Sequence, residues 1–309
     1  MKNILIIGGS YFAGRVCVEE LLKLPDVAIH VFNRGRQPLR MNGVTEFVGD
    51  RSFGAEVRDN IPERTWDAVI DFCAYAPREV HTLLANLSGT VKQYILISTT
   101  SVLEQTGSLP ASEDAPKLTG PQAGVEGSYA WDKLRTEWAA HEFSERMGIA
   151  YTILRPAIIY GYYNYAPRES YFFDLLRKRQ PIVIPDNDLA QFSFIWVVDM
   201  ARLIIRCIGD ERTLGEAFNL AADEAVSYDR IVEVLAEITG KQIEPVRLPV
   251  AEIVRQGIPL PFPLDEHLLY SGEKLRRLFN FEYTPFNRGL REALKYYLMV
   301  QKQRSIPAA

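Results

Sequence analysis

The sequence predicts an α/β fold in which a doubly wound parallel sheet carries a smaller C-terminal lobe. Three observations favour this fold class. Short apolar strands alternate with helical patterns through the first half of the chain. The first strand leads directly into a glycine turn and a helix. Past Arg155-Pro156 the chain becomes rich in tyrosine, glycine and proline, which is typical of a loop-rich lobe.

The strands are predicted from apolar runs and the helices from apolar positions three to four residues apart. Ile4 to Ile7 are consecutive branched residues, which suits a parallel strand buried on both faces. Further strands are predicted over 27–32, 44–48, 68–72, 94–98, 151–154, 191–198 and 217–220. Helices are predicted over 13–24, 77–87, 129–147, 172–179, 199–208 and 228–239. Ligands of such sheets bind beyond the carboxyl ends of the strands.

Composition excludes several classes of protein. The chain has 309 residues, 47% of them hydrophobic and 24% charged, as in ordinary globular proteins. A net charge of −4 argues against binding nucleic acid by bulk electrostatics. No run approaches the ~20 apolar residues that span a bilayer. The cysteines Cys17, Cys73 and Cys207 are widely spaced, so we expect no disulfide framework, no metal site and a cytoplasmic location.

The glycine turn after the first strand predicts a dinucleotide site. Gly8 and Gly9 permit a tight turn, and Gly14 allows the next helix to pack closely on the strand. The N-terminus of that helix then faces a pyrophosphate. Tyr11 replaces the middle glycine of the usual motif, so the loop must differ locally.

The residues after the second and third strands bear on cofactor choice. Asn33 occupies the place of the acid that binds the ribose of NAD, and Arg34 and Arg36 suit the 2′-phosphate of NADP. We therefore expect NADP, with NAD as the alternative. Asp50 either binds the adenine or caps the following segment.

A second informative run predicts acid–base chemistry. Tyr129 and Lys133 are four residues apart, so both lie on one helix face. An ammonium nearby lowers the pKa of a phenol, which then exchanges a proton with a substrate hydroxyl. Thr99, after the strand at 94–98, is placed to hydrogen-bond the substrate oxygen.

Together these motifs resemble the extended and atypical short-chain dehydrogenase/reductase superfamily, the NAD-dependent epimerase/dehydratase family. The resemblance rests on runs that begin at Ile7, Ile97, Tyr129, Arg155, Phe194 and Ser271. Residues 32–35, 49–51, 67–71 and 168–171 resemble a branch that includes isoflavone-reductase-like and chloroplast stem-loop-binding proteins. Thr100 and Ser101 stand where dehydratases of the family carry an Asp-Glu pair, which disfavours dehydration.

The resemblance implies a Rossmann-type NAD(P)-binding domain over 1–165, to which 190–222 return. Residues 166–189 and 223–309 would form the smaller substrate lobe. The expected enzyme is an NAD(P)-dependent epimerase or reductase that moves a hydride to or from a secondary alcohol or ketone carbon, with a nucleotide sugar as one candidate substrate. The alternative is a catalytically weak NAD(P)-binding regulatory or RNA-associated protein. A homodimer is expected, with a helix stripe of Trp131, Leu134 and Trp138 assigned to the core.

The expected site residues fall into three groups. The catalytic residues are Thr99, Tyr129 and Lys133. The cofactor residues are Gly8, Gly9, Ser10, Tyr11, Phe12, Gly14, Asn33, Arg34, Arg36, Asp50, Arg51, Phe72, Cys73, Ala74, Ser98, Tyr129, Lys133, Pro156 and Ala157. The substrate residues are Thr100, Tyr162, Arg168, Tyr171 and Gln191.

Overall fold

A computed structural model describes residues 1–104 and 107–304. Its helices are α1 (Phe12–Leu21), α2 (Gly54–Asn60), α3 (Pro77–Asn86), α4 (Gly124–Met147), α5 (Glu169–Lys178), α6 (Val197–Cys207), α7 (Tyr228–Thr239), α8 (Val250–Gln256), α9 (Glu273–Phe279) and α10 (Phe286–Arg304). Residues 305–309 of the predicted small lobe lie outside the described residues. None of the helices in the described ranges has the length and apolarity needed to cross a membrane.

The central sheet contains seven strands that all pair in parallel, which confirms the predicted fold class. In chain order they are β1 (Lys2–Ile7), β2 (Val27–Asn33), β3 (Val44–Val48), β5 (Ala68–Asp71), β7 (Gln93–Ile97), β8 (Ala150–Pro156) and β12 (Glu216–Leu220). Their order across the sheet is β12-β8-β7-β5-β1-β2-β3.

Both faces of the central sheet are covered. Ile4 and Ile6 of β1 join the core beneath α1 and α6, whereas Leu5 and Ile7 join the core beneath α2, α3 and α4. This division follows from the two-residue repeat of a strand, which sends successive side chains to opposite faces. The apolar run that predicted β1 therefore has the burial expected of a central parallel strand.

Short strands outside the central sheet shape the second lobe. β9 (Ile158–Tyr160), β11 (Gln191–Trp196) and β13 (Ala225–Ser227) form a three-stranded sheet, and β10 (Val183–Pro185) pairs with β14 (Val246–Leu248). A further pair, β4 (Arg64–Trp66) with β6 (Gly89–Val91), flanks the main sheet. The division of the chain into 1–165 with 190–222 and a separate lobe stays a prediction.

One buried carboxylate fastens the start of the last helix to α6. Asp199, in the first turn of α6, is 1% exposed. It accepts hydrogen bonds from the backbone N and the hydroxyl of Thr284, at 2.6 and 3.0 Å, just before α10 begins. This residue of the Phe194–Asp199 motif therefore holds the chain at the start of α10.

The stripe predicted on α4 is only partly core. Leu134 is fully buried, but Trp138 is 49% exposed. The two indoles of Trp131 and Trp138 meet edge to face at 5.5 Å. The expectation that all three residues belong to the core is therefore wrong for Trp138, because this side of α4 faces outward.

Candidate active site

The crevice lies where the sheet order reverses, between β1 and β5. The chain continues from β1 to β2 and β3 on one side, while β5 and β7 follow on the other. The ends of β1 and β5 are joined by a hydrogen bond of 3.0 Å from Phe72 N to Ile7 O. Ligands of open α/β sheets bind at such a reversal. The predicted cofactor residues Gly8 and Phe72 to Ala74 flank it.

The glycine turn is closely packed at two positions. Gly8 has φ +86°, and a Cβ there would lie 3.0 Å from Cys73 Sγ. A Cβ on Gly14 would lie 2.5 Å from the carbonyl oxygen of Gly8, a clash with backbone that a side chain cannot relieve. Gly14 therefore lets α1 begin directly against the turn, as its spacing predicted.

An aromatic strap, residues 161–168, crosses from the second lobe to this turn. The ring of Tyr165 stacks on that of Tyr11 at 5.2 Å and meets Phe12 edge to face at 5.8 Å. The Tyr163 hydroxyl donates to Glu19 of α1 at 2.7 Å. Tyr11, which replaces the middle glycine of the usual motif, thus forms a contact between the turn and the strap.

The loop after β2 presents two arginines to solvent. Arg34 and Arg36 are exposed. The Asn33 side-chain oxygen accepts a hydrogen bond of 2.7 Å from Gly35 N. Its Nδ2 is buried, with no hydrogen-bond partner in the described part of the chain. The loop therefore offers one unused donor and two exposed cations beside the end of β2.

Asp50 and Arg51 have internal partners. Asp50 accepts a hydrogen bond of 2.9 Å from Ser52 N within the turn before α2, whose N-cap is Phe53, and its predicted contact with the adenine stays a prediction. This hydrogen bond lowers the pKa of Asp50, and the charges of Arg34 and Arg36 lower it further. Arg51 is buried, pairs with Asp71 and donates to Glu79 O at 3.0 Å. Any contact of Arg51 with a cofactor stays a prediction.

Lys133 is fixed between two strand ends. Its side chain is 2% exposed. Nζ donates to the carbonyl oxygens of Ala74, beyond β5, and of Ile97, the last residue of β7, at 2.8 and 2.6 Å. Burial lowers the pKa of Lys133 to about 8, although Asp71 and Glu137 act in the opposite direction. α4 is thereby positioned over the carboxyl edge of the sheet.

The other two predicted catalytic residues lie at the same edge. Thr99 lies two residues beyond the end of β7 and is buried; its Oγ1 accepts a hydrogen bond of 3.2 Å from Ser101 N. Tyr129, one helical turn before Lys133, is 41% exposed. Its ring lies 6.3 Å from that of Tyr75, centroid to centroid. Tyr75 follows β5 and lies 5.5 Å beneath the Lys133 ammonium, a neighbour that sequence reasoning missed.

Burial and two neighbouring side chains act on the phenol of Tyr129. Partial burial raises the pKa of Tyr129, and the Tyr165 phenol raises it further. The guanidinium of Arg168 opposes both effects. The electrostatic role expected of Lys133 stays a prediction. The position of Arg168 on the strap gave no sequence signal of its approach to α4.

The remaining cofactor residues line the strand ends. Ser98 has a buried hydroxyl with no hydrogen-bond partner among the described residues. Cys73 N donates to Asp71 at 3.0 Å, and burial raises the pKa of its thiol to about 11. Ala157 N pairs with Leu220 O at 3.0 Å. Gly9 and Ser10 lie in the turn after β1, and Pro156 is the last residue of β8.

The predicted substrate residues separate into two sets. Thr100 is buried and donates to Pro156 O at 3.4 Å. Tyr162 packs against Trp196 at 5.0 Å, the lobe contact that was the alternative to a cleft. Tyr171 packs edge to face on Phe172, and Gln191 pairs with β13. Of these five residues, only Arg168 affects the pKa of Tyr129.

These residues fit a dinucleotide. The unused polar atoms of Asn33 and Ser98 lie at strand ends, and the missing side chains of Gly8 and Gly14 bring the turn and the N-terminus of α1 close together. Within the described ranges no group of three or more His, Cys, Asp or Glu side chains is arranged to hold a metal ion.

Comparison with known proteins decides the family. Residues 4–221 match the sequence profile of the NAD dependent epimerase/dehydratase family. The chain belongs to this family. It is an NAD-dependent epimerase-like protein, in agreement with the resemblance drawn from its motifs.

Relatives within and around the family differ in activity. A chloroplast stem-loop binding protein of 41 kDa from Arabidopsis thaliana is 27% identical over 303 residues, covering 91% of this chain and 75% of that protein. The UDP-glucose 4-epimerase of Thermotoga maritima, solved with UDP-glucose, has a TM-score of 0.77 at 18% identity, covering 97% and 99% of the two chains. The UDP-glucuronic acid 4-epimerase of Bacillus cereus, solved with UDP-glucuronic acid and NAD, has a TM-score of 0.74 at 18% identity, covering 96% and 99%. At these identities the two structures establish the shared fold.

Proposed function

We propose that this protein is an NADP-dependent epimerase or reductase that acts on a secondary alcohol or ketone carbon of a nucleotide sugar. The observation that carries the proposal is the anchoring of Lys133 to the carbonyls of Ala74 and Ile97. This anchoring holds α4, which carries Tyr129 and Lys133, at the edge of the sheet where Thr99 follows the end of β7. Bound NAD(P) would supply the hydride donor and acceptor in this crevice.

Each of the three side chains has one task. Tyr129 exchanges a proton with the substrate oxygen as the carbon changes between alcohol and ketone. Its raised pKa keeps the phenol protonated at neutral pH, so it starts as the acid in the reductive direction. Thr99 orients the same oxygen by a hydrogen bond. Lys133 has three N–H groups and uses two on carbonyls, which leaves one for a ribose hydroxyl.

The NADP preference rests on the loop after β2. Arg34 and Arg36 are exposed, and no acidic residue stands between Asn33 and Arg36. A ribose 2′-phosphate is dianionic and suits such a pair of guanidiniums, whereas a free 2′-hydroxyl suits a carboxylate.

Two observations support the proposed substrate class: the ligands of the structural neighbours, and the lack of acidic residues at the two positions after Thr99. Both epimerase structures hold a UDP-sugar. In this chain Thr100 and Ser101 follow Thr99, and neither hydroxyl ionises near neutral pH. Elimination of water needs a titrating acid and base, so the site supports hydride and proton transfer better than dehydration.

Two measurements test the proposed function. Fluorescence titration compares NADPH with NADH, and we expect NADPH to bind about tenfold more tightly, a difference of about 1.4 kcal/mol. The protein loaded with the oxidised cofactor, NADP⁺, is then incubated with UDP-glucose and UDP-glucuronate, and NMR follows the configuration of the sugar ring. Binding of neither cofactor, or an unchanged sugar with no reduction of a keto-sugar, contradicts the proposal.

An RNA-associated protein is the second candidate. The identity with the chloroplast stem-loop binding protein favours it. The basic cluster considered for RNA, namely Arg34, Arg36, Arg40 and Arg51, loses Arg51 to its buried pair with Asp71. Salt-dependent binding of a stem-loop RNA, with no hydride transfer, would select this candidate.

We also propose that two copies associate through α4. This helix exposes Val125, Trp138 and Met147, at 87%, 49% and 54% of their surfaces. Light scattering of the wild type should give a dimer, and Trp138→Glu should give a monomer. A monomeric wild type contradicts the dimer and leaves the proposed chemistry unaffected.

A further inference from the structure

The loop after β5, residues 72–76, supplies one of the two hydrogen bonds that hold Lys133. The carbonyl oxygen of Ala74 accepts from Nζ at 2.8 Å, and the same ammonium lies 5.5 Å from the centroid of the Tyr75 ring. Ile97 O accepts the other hydrogen bond, at the end of a central strand. A strand end is fixed by its sheet, whereas a loop must be fixed by its own contacts. The position of Lys133 therefore depends on what fixes residues 72–76.

Two carboxylates hold the backbone of this loop on either side of Ala74. Asp71, the last residue of β5, accepts a hydrogen bond of 3.0 Å from Cys73 N. Glu79, in the first turn of α3, accepts one of 2.6 Å from Tyr75 N. The N–H groups of the residues that flank Ala74 are thus both tied to carboxylates, and this sets the direction of the carbonyl between them.

Arg51 connects these two carboxylate-bearing residues to each other. Its Nη1 pairs with the Asp71 carboxylate, and its Nη2 donates to the backbone oxygen of Glu79 at 3.0 Å. The Tyr94 hydroxyl donates to the other oxygen of Asp71 at 2.7 Å. Both partners of the ion pair are buried. A buried pair gains little stability over apolar residues of similar volume, because both charges lose water. Its contribution here is the fixed spacing between β5 and α3, which the loop spans.

We propose that Arg51 and Asp71 are positioning residues, which hold the loop carbonyl against Lys133 and so direct the free N–H of this lysine at the ribose of the nicotinamide half of the cofactor. This inference rests on the proposed function, in which the third N–H of Lys133 binds a ribose hydroxyl. Tyr129 lies one helical turn away on α4, which favours the reacting half of the cofactor as the neighbour of Lys133. Asp71 is fully buried, so it acts only through the loop and its charge.

The same ion pair acts on the charge of Lys133. The titratable groups around this ammonium come from α4, from β5 and its loop, and from the loop after β3: Glu137, Asp71, Cys73, Tyr75 and Arg51. Burial lowers the pKa of Lys133 to about 8; among the charges, Asp71 raises it most and Arg51 lowers it. Above this pH the neutral amine has no N–H left for the ribose, so NADPH affinity should fall. Removal of the Asp71 charge should move this fall to lower pH.

Fluorescence titrations of NADPH from acidic to alkaline pH test the positioning role. In Asp71→Asn we expect the fall in affinity to occur about one pH unit lower than in the wild type. The double variant of Arg51→Met with Asp71→Asn removes both charges together, so no unpaired charge stays buried. It should keep a Tm near that of the wild type while NADPH binds about tenfold more weakly. Tyr94→Phe, the matched control, removes a hydrogen bond to the same carboxylate from β7. It should lower Tm and leave the affinity and the pH of its fall unchanged.

A second probe locates the loss of affinity within the cofactor. Adenosine 2′,5′-bisphosphate is the adenosine half of NADPH and lacks the nicotinamide and its ribose. It should bind the wild type and the double variant alike, because Lys133 is expected to contact the other half. An equal loss of affinity for NADPH and for the bisphosphate assigns Arg51 to direct contact with the adenosine half, and overturns the positioning role.

The other outcomes overturn the inference in distinguishable ways. A fall at the wild-type pH in Asp71→Asn, or wild-type NADPH affinity in the double variant, removes the positioning role and leaves the proposed function standing. A wild type that binds neither NADPH nor NADH removes the proposed function and this inference with it. If thermal melts show that Asp71→Asn does not fold, the double variant and its comparison of NADPH with the bisphosphate decide.

Discussion

At the scale of single residues, the reactivity of the site depends on what surrounds Tyr129. Burial and Tyr165 raise its pKa, and Arg168 lowers it. Lys133 contributes position, since two carbonyl oxygens hold its ammonium over the ring of Tyr75. The Tyr129–Lys133 spacing thus supplies the right residues, while the charge balance comes from a strap more than 30 residues farther along the chain.

Replacing Tyr129 by Phe removes the proposed proton donor and keeps the ring. We expect kcat to fall about 10²- to 10⁴-fold, because no other described group takes over the proton. The Kd for NADPH should stay unchanged. Tyr151→Phe removes a phenol from β8, outside the crevice, and is the control. Steady-state kinetics and fluorescence titration check both variants, and unchanged turnover in Tyr129→Phe would remove this residue from the mechanism.

Lys133 predicts a pH dependence of cofactor binding. Its pKa of about 8 lies below the ordinary value of 10.5, so folding releases its proton between these pH values and stability rises with pH there. Above pH 8 the neutral amine has two N–H groups, both used on carbonyls, and none remains for a ribose. We expect NADPH affinity to fall as pH rises through about 8, and Lys133→Met to lack this step. A titration series from acidic to alkaline pH that shows parallel curves for the two proteins argues against the ribose contact.

At the scale of helices and strands, the packing of α1 against the glycine turn requires that residue 14 has no Cβ. A Cβ on Gly14 would meet the Gly8 carbonyl oxygen at 2.5 Å. Gly14→Ala should therefore push α1 away from the turn, lower Tm by several degrees and weaken NADPH binding about tenfold or more. Gly120→Ala, where a Cβ meets nothing within 4 Å, is the control. Equal melting curves and equal NADPH affinity for the two variants would show that the turn accommodates a Cβ at residue 14.

The elements that the sequence predicted well are those with a clear period or a long apolar run. All seven strands of the central sheet were predicted, and α7 was predicted with its observed bounds. α4 begins at Gly124, five residues before the predicted start, because its first turn is exposed and carries no apolar pattern. Short strands such as β4, β9 and β13 have three residues each, too few to show alternation. Their positions depend on tertiary pairing.

The residues of the candidate site also divide into those that the sequence identified and those that it did not. Residues that follow long strands, such as Gly8, Thr99 and Cys73, were placed by strand position alone. Tyr75 and Arg168 were not assigned to Tyr129, because their approach depends on how a loop and the strap cross the crevice. Thr100 and Tyr162 face packed surroundings that a linear pattern does not distinguish from a cleft.

At the scale of the whole molecule, the strap links the second lobe to the cofactor helix. Tyr163 contacts Arg15 and Glu19 of α1, and Tyr165 stacks on Tyr11. Because the same strap carries Arg168, we expect that any shift of α1 on cofactor binding would also move Arg168. Cofactor and substrate binding are then expected to depend on each other.

Tyr165→Ala tests this link. Loss of the stack should speed NADPH dissociation about three- to tenfold, since an aromatic pair contributes about 0.5–1.5 kcal/mol beyond its buried area. Tyr165→Phe keeps the ring and should behave as the wild type. Stopped-flow measurement of cofactor release compares the three proteins. Identical release rates would mean that the strap leaves the cofactor untouched.

The hydrogen bonds between Asp199 and Thr284 limit how the gene can be shortened. Residues 4–221, the part matched by the family profile, contain Asp199 but stop far before Thr284. In a fragment with those boundaries, the carboxylate of Asp199 would lack the two hydrogen bonds from Thr284. The apolar surface that Phe286 and Leu290 cover would be exposed to solvent. The smallest autonomous folding unit therefore extends into the C-terminal helix, and shortened versions of the protein or split reporters should keep that helix attached.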